Sequence, residues 1–167
     1  IGAAVTHDNG RLFVGQGGEV LVPSSGSLTA DLGSAVTSTG DDTVAVENGG
    51  AIRLTGGTLA YSNFTGCFGL GGTASLTSRF EIVTGAFTFT PMAADHALDV
   101  TRNSVVSWKN ASVSVPAALN AFKLQDGLFD LSGATVVTKS AGTGLILQKS
   151  GGRFALSGTA SWPLEKV

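Results

Sequence analysis

Two aspartates, Asp126 and Asp130, have the types and spacing that best suit chemistry on a substrate. Asp130 is the middle residue of Phe129-Asp130-Leu131, and Asp126 lies in the turn before it, near Lys123. Glycoside hydrolysis uses two carboxyl groups about 5–9.5 Å apart, and lyases pair a base with a group that neutralises charge. Asp126 and Asp130 are therefore candidate catalytic residues. The same pattern also fits a solvated acid in a turn, beside an ion pair between neighbouring repeat units.

The remaining reactive side chains are too few to build other catalytic or metal centres. His7 and His96 are the only histidines and Cys67 is the only cysteine, so one chain cannot assemble a Ser-His-Asp triad, a multi-histidine metal site or a cysteine zinc site. The acidic group Asp41-Asp42 with Glu47 lacks the ligand alternation of a calcium-binding EF-hand loop and is interpreted as a turn. We expect no metal and no cofactor.

Ligand binding has candidates of a different kind. Aromatic rings can stack on sugars, but the strand alternation directs most of them inward, with Trp162 as the expected exception. The segment from Gly71 to Ser78 is longer than its equivalents elsewhere in the chain and must protrude. Protruding loops often carry specificity. We therefore take Trp162 and the loop hydroxyls of Thr73, Ser75 and Thr77 as candidate ligand-binding residues.

Composition excludes two classes of partner. Among the 167 residues there are 10 basic and 12 acidic side chains, a formal charge of -2, with no basic run. Binding to nucleic acid depends on neutralising phosphates with Lys and Arg, so nucleic acid is not an expected partner. No apolar stretch approaches the roughly 20 residues of a membrane helix, and we expect no membrane insertion.

The elements that position these residues belong to an internal repeat. Five units each open with an apolar-x-apolar triplet, and they begin 24, 30, 24 and 23 residues apart. Periods of this size are typical of stacked solenoid rungs. The opening triplets are Val44-Ala45-Val46, Phe68-Gly69-Leu70, Leu98-Asp99-Val100, Phe122-Lys123-Leu124 and Leu145-Ile146-Leu147.

Each unit continues with a second and a third triplet. The second triplets centre on Arg53, Glu81, Ser107, Asp130 and Ala155. Two residues after each lies Gly56, Thr84, Asn110, Gly133 or Gly158, mostly types that enter the left-handed region easily, so we expect a corner there, with Gly85 replacing Thr84. The third triplets are expected at Leu59-Ala60-Tyr61, Phe87-Thr88-Phe89, Val113-Ser114-Val115, Val136-Val137-Thr138 and, after a slip of one residue, Ala160-Ser161-Trp162.

Three strands per turn predict an all-β fold, a three-sided parallel β-helix of about six rungs. Residues 11–162 form the β-helix, in which Arg11 to Asp42 is a less regular first rung. Residues 1–10 are a lead-in arm and residues 163–167 a C-terminal tail. Stacking also predicts two cross-rung charge pairs, Arg53 with Glu81 and Asp99 with Lys123.

Two rungs carry a resemblance to a known architecture. The segments Ala-Ile-Arg-Leu-Thr-Gly-Gly-Thr-Leu-Ala-Tyr-Ser (51–62) and Gly-Leu-Phe-Asp-Leu-Ser-Gly-Ala-Thr-Val-Val-Thr (127–138) resemble the right-handed, pectin-lyase-like parallel β-helix. The resemblance extends over about three quarters of the chain and includes no family-specific catalytic motif. Proteins of this kind include bacteriophage tailspikes and other virion appendages, polysaccharide lyases and hydrolases, and passenger domains of bacterial surface adhesins.

Scarce acids and low surface charge favour a noncatalytic structural or attachment module of a bacteriophage tail fibre, tailspike or head fibre. The expected location is the virion surface or the extracellular space. Neither end of the repeat has an evident cap, so we expect self-association, as a homotrimer, or continuation in a longer fibre. Other virion or surface proteins and cell-surface polysaccharide are further expected partners. The alternatives are a polysaccharide depolymerase and a fragment of a bacterial adhesin or autotransporter passenger.

Overall fold

The chain winds into a three-sided parallel β-helix, seen in a computed structural model that describes residues 4–8, 11–15, 18–24, 26–31, 44–64, 68–91, 96–115, 121–139, 145–162 and 164–166. Successive strands pass from a first to a second and then to a third sheet, and the chain returns to the first sheet one rung later. This confirms the predicted fold class and the count of about six rungs.

The strands belong to three sheets, and within each sheet they follow one another in space in the order of the chain. The first sheet contains β1 (Ala4–Asp8), β2 (Arg11–Gly15), β5 (Val44–Glu47), β8 (Phe68–Gly71), β11 (His96–Val100), β14 (Ala121–Leu124), β17 (Leu145–Lys149) and β19 (Leu164–Lys166). The second contains β3 (Glu19–Val22), β6 (Ala51–Leu54), β9 (Ser78–Ile82), β12 (Ser104–Lys109), β15 (Leu128–Ser132) and β18 (Arg153–Leu156). The third contains β4 (Ser27–Asp31), β7 (Thr58–Phe64), β10 (Gly85–Pro91), β13 (Ala111–Val115) and β16 (Val136–Lys139).

All described strand pairs are parallel except the first. Strand β1, within the expected lead-in arm, pairs antiparallel with β2 and so lies outside the repeat. At the other end, β19 falls within the expected C-terminal tail and pairs in parallel with β17. Both added strands lengthen the first sheet, leaving the second and third sheets to end at β3, β18, β4 and β16.

Among the described side chains, alternate residues of the repeat strands fill one continuous apolar core, although Leu156 in β18 is 46% exposed. Trp108 is fully buried near its middle, with its ring centroid 5.4 Å from that of Phe80 and 5.2 Å from that of Phe129, both in edge-to-face geometry. A fully buried side chain of this type contributes about 1.5–3 kcal/mol. Packing of these inward columns therefore dominates the stability of the helix.

Corners are made by residues in the left-handed region. Between the second and third sheets, Asn110 has a φ of 50° and Gly133 a φ of 62°, and Gly85 replaces Thr84 as expected. A matching series between the first and second sheets was not foreseen from the sequence: Asn48, Asn103 and Asp126 have φ values of 53°, 52° and 55°. Asn and Asp tolerate this conformation better than other side chains, which explains their recurrence there.

The expected third triplet at Val136 is wrong by one residue. Val137 pairs with Val113 and is 2% exposed, whereas Val136 pairs with Ser112 and is 42% exposed. The cause is an extra corner residue, Thr135, which is fully buried. Its hydroxyl accepts a hydrogen bond from Ala111 N at 3.2 Å and lies 2.7 Å from Ser132 O. The hydroxyl thus satisfies backbone groups inside the wider corner.

The last unit also departs from the expected register. Ser161 bridges to Val136, which places Trp162 level with the inward residue Val137, so the last corner is widened like the one before it. In the first sheet Phe122 pairs with Leu147 rather than Leu145, two residues later than expected. A shift of two keeps the same face of a strand, whereas a shift of one reverses it.

Both predicted cross-rung charge matches are confirmed as register partners. Arg53 pairs with Glu81 in the second sheet, and their side chains form an ion pair of 3.7 Å between Nε and Oε2. Asp99 pairs with Lys123 in the first sheet. Exposed pairs of this kind contribute about 0.2–1 kcal/mol, so they indicate register more than they add stability.

Candidate functional site

The outer surface of the second sheet gathers charged residues from all six rungs, and we call it the second-sheet face. Most of its outward side chains form two columns running along the solenoid, and Lys109 adds an exposed charge at the end of β12, beyond the second column. In rung order the first column is Glu19, Ala51, Arg79, Val105, Leu128 and Arg153, and the other is Leu21, Arg53, Glu81, Ser107, Asp130 and Ala155. The two columns therefore place three acidic and three basic side chains on one face with exposed apolar groups such as Leu21, which is 54% exposed.

A three-residue ion network lies in the upstream half of this face. The Glu81 carboxylate is 3.7 Å from Arg53 Nε and 3.5 Å from Arg79 Nη1, and all three side chains are partly solvent-accessible. By contrast, Glu19, Asp130 and Arg153 form no ion pair with any described residue. The two columns are neutral together, and Lys109 gives the face a net charge of one positive unit. Four of the seven charges lack an ion-pair partner among the described residues of the chain.

Asp126 and Asp130 occupy different environments. Asp130 is a half-buried outward residue of the second-sheet face, beside Ser107 and Ala155 of the adjacent rungs. Asp126 is exposed in the corner that precedes β15, and its left-handed backbone accounts for a short polar side chain at that point. The corner conformation gives Asp126 a structural reason to be present, which the sequence pattern did not reveal. The catalytic role of Asp126 and Asp130 stays a prediction.

The protruding loop between β8 and β9 is held against the next rung. Its turn closes through Thr73 N to Leu76 O at 2.9 Å and Leu76 N to the Thr73 hydroxyl at 3.1 Å. Asn103, a corner residue of the following rung, accepts from the Thr77 hydroxyl at 3.1 Å and donates from Nδ2 to Thr73 O. The hydroxyls of Thr73 and Thr77 are thus engaged within the protein, and Ser75 is the exposed member of the predicted ligand-binding set.

Contrary to the sequence-based expectation, Trp162 does not point away from the helix. Its ring centroid is 4.9 Å from that of Phe122 and 5.6 Å from those of Phe129 and Phe154, so the half-buried indole closes the downstream end of the core. The widened last corner, which brings position 162 level with inward Val137, is the reason. Its predicted role in ligand binding is untested, but its packing supplies a structural one.

The third sheet presents a very different outer surface, which sequence reasoning did not single out. Its described outward side chains are small and uncharged: Ser27, Thr58, Ala60, Ala86, Thr88, Ser112, Ser114, Val136, Thr138 and Ser161. The first sheet differs again: its outward residue Ala45 is fully buried, and its outward pair Asp99 and Lys123 lies in neighbouring rungs. Among the described residues, the second-sheet face carries the larger set of charges of both signs.

Several predicted features fall on residues whose placement is not described. Cys67 and the Asp41-Asp42 pair lie outside the described residues, as do the side chains of His7 and His96. Within the described part of the chain, no group of three or more His, Cys, Asp or Glu side chains could hold a metal ion. Over the same residues, no helix is long and apolar enough to cross a bilayer.

Comparisons of this chain with protein-family models, with curated proteins and with solved structures find no match. The assignment of a role therefore depends on the geometry of the faces and corners.

Proposed function

We propose that this protein is a noncatalytic structural or attachment module of a bacteriophage virion appendage, such as a tail fibre, tailspike or head fibre. One observation carries the proposal: the solenoid exposes long, regular sheet faces, while most of its candidate chemical residues serve its own architecture. Asp126 forms a corner, the Thr73 hydroxyl closes its turn, Thr77 bonds to Asn103 of the next rung, and Trp162 closes the core.

The proposed partners are other virion proteins and polysaccharide on a host surface, and the proposed location is the virion surface or the extracellular space. The resemblance of the rungs to pectin-lyase-like β-helices supports this choice by analogy of architecture. A homotrimer, the assembly expected from the sequence, stays a prediction.

A binding assay tests the proposal directly. The purified protein is incubated with a panel of bacterial capsular polysaccharides and lipopolysaccharides, and binding is measured alongside release of reducing ends and unsaturated products. We expect binding to a subset of the glycans with no product. Product formation that requires the intact protein would replace the proposal with the depolymerase alternative.

The depolymerase alternative has its own discriminating variants. Asp130→Asn and Asp126→Asn remove one carboxylate each, and in an active preparation either should abolish product formation if that residue is catalytic. Glu47→Gln is a matched control, because it removes an acid elsewhere on the solenoid. The adhesin alternative shares the binding result but is expected to behave as a monomeric rod.

A further inference from the structure

We propose that the second-sheet face is a docking surface for a second copy of this chain, which lies antiparallel to the first about a two-fold axis. The axis lies between the second-sheet faces of the two copies. It runs parallel to the strands and passes midway between the third and fourth rungs. The proposal goes beyond the proposed function and does not depend on it. The antiparallel dimer is an alternative to the homotrimer expected from the sequence, and the mass measurement below distinguishes the two assemblies.

Self-complementarity of the two columns carries the argument. Rotation about such an axis keeps each residue in its own column and places the first rung against the sixth, the second against the fifth and the third against the fourth. Glu19 then faces Arg153 of the other copy, and Arg53 faces Asp130. Within the two columns, the same rotation therefore gives a partner to each of the three charges that have no intrachain ion pair with a described residue. Lys109 lies beyond the second column.

The uncharged positions match equally well. Leu21 faces Ala155 and Ala51 faces Leu128, so apolar groups meet apolar groups. In the two central rungs Glu81 faces Ser107 and Arg79 faces Val105, where the ion network keeps both charges compensated. No like charges are opposed anywhere in the two columns. A like-charge pair or an uncompensated charge at an interface would oppose association.

A parallel arrangement of the same face is less complementary. A two-fold axis along the solenoid places each rung against the same rung of the other copy. If that axis passes through the second column, Arg53, Glu81 and Asp130 each face their own equivalents, which repel. If it passes between the columns, Glu19 faces Leu21 and Asp130 faces Leu128, so these charges lose water without gaining a partner. The antiparallel arrangement avoids both costs.

The size of the face predicts a weak and reversible dimer. Six rungs at ~4.8 Å and strands of about five residues at ~3.3 Å give a surface of about 500 Å² per copy. The total of about 1,000 Å² is at the low end for specific interfaces. We therefore expect association that rises with protein concentration, and that weakens at high salt because the pairs are at the rim.

Charge reversal at the two end rungs tests the arrangement. Glu19→Arg and Arg153→Glu each create two repulsive contacts across the two-fold axis, and each should weaken dimerisation about tenfold. The double variant Glu19→Arg with Arg153→Glu exchanges the two charges and should restore the wild-type dissociation constant. Within one copy these residues are ~24 Å apart, beyond the screening length, so a rescue reports contact between copies.

Sedimentation equilibrium over a range of protein concentrations supplies the readout, with a monomer mass of 16.8 kDa. Thr88→Arg, which adds a charge to the exposed surface of the third sheet, is the control and should dimerise like wild type. Circular dichroism confirms that each variant is folded. A wild-type protein that stays monomeric at every concentration, a trimer, or a double variant no better than the singles would overturn the proposal. Each of these results leaves the glycan-binding test unaffected.

Discussion

We expect the buried hydroxyl of Thr135 to contribute more to the free energy of unfolding than its methyl group does. Thr135→Val preserves the shape of the side chain but removes the acceptor for Ala111 N, which is 3.2 Å away in a buried strand end. It also removes the donor to Ser132 O at 2.7 Å, although that carbonyl keeps a bond from Asn110 N. An unsatisfied buried N–H costs about 1–3 kcal/mol. We expect Thr135→Val to lower the free energy of unfolding by about 2 kcal/mol.

Urea denaturation followed by tryptophan fluorescence measures this change, since Trp108 lies beside the corner. Its carbonyl is 3.0 Å from the Thr135 hydroxyl. Thr135→Ser keeps the hydroxyl and loses one methyl group, which should cost about 1 kcal/mol. Thr88→Val, at an exposed site, should stay within about 0.5 kcal/mol of wild type. If Thr135→Val is as stable as Thr135→Ser or more so, the hydroxyl does not support the widened corner.

Three further substitutions test the loop and the core by urea denaturation, followed by circular dichroism because two of them remove a tryptophan. Asn103→Gly keeps the left-handed corner accessible and removes the contacts to Thr77 and Thr73. It should cost about 1–2 kcal/mol and speed proteolysis of the loop, and unchanged proteolysis would contradict the proposed anchoring. Trp162→Ala should cost about 2–4 kcal/mol because it uncovers three phenylalanine rings, and a cost below about 1 kcal/mol would argue against its closing role. Trp108→Phe should cost less than about 2 kcal/mol. The smaller ring leaves a cavity, but the change also removes a buried Nε1–H that has no acceptor among the described residues. A larger loss of stability would indicate that this N–H is hydrogen-bonded.

Strand alternation made most of the architecture predictable. Inward residues such as Ile52, Phe80 and Val106 are each followed by a polar residue and then by another inward apolar one, and a period of two fixes which face is buried. Three such triplets in each repeat unit then predicted the three-sided solenoid. The cross-rung pair Arg53–Glu81 was an independent check on the stacking of neighbouring rungs, and the structure confirms it.

The errors arose where alternation gives no information. Val136 and Val137 are both apolar, so the sequence does not show which one faces inward, and the widened corner decides it through Thr135. The same widening turned Trp162 into the core. At Leu145 and Leu147 the ambiguity is a shift of two residues, which alternation cannot detect because both lie on one face of the strand.

The candidate site was harder to predict than the fold, for a related reason. A column on a solenoid face takes one residue from each rung, so Glu19 and Arg153 contribute to one column from opposite ends of the chain. Searches for local motifs instead direct attention to Asp126 and Asp130, which are close in sequence but differ in role. Columns become visible once the register of every rung is known.

The outward residues of a rung do not pack in the core. Core packing therefore does not determine whether these residues are charged, and an external partner can. On the third sheet those described positions are uncharged, so charges are not needed to keep rungs in register. On the second sheet they carry both signs, yet only the Arg53–Glu81–Arg79 group forms ion pairs among the described residues of that face. Stacking within one chain explains why that group is charged, but it does not explain the charges of Glu19, Asp130 and Arg153. A second, antiparallel copy supplies an oppositely charged partner for all three through a single two-fold rotation.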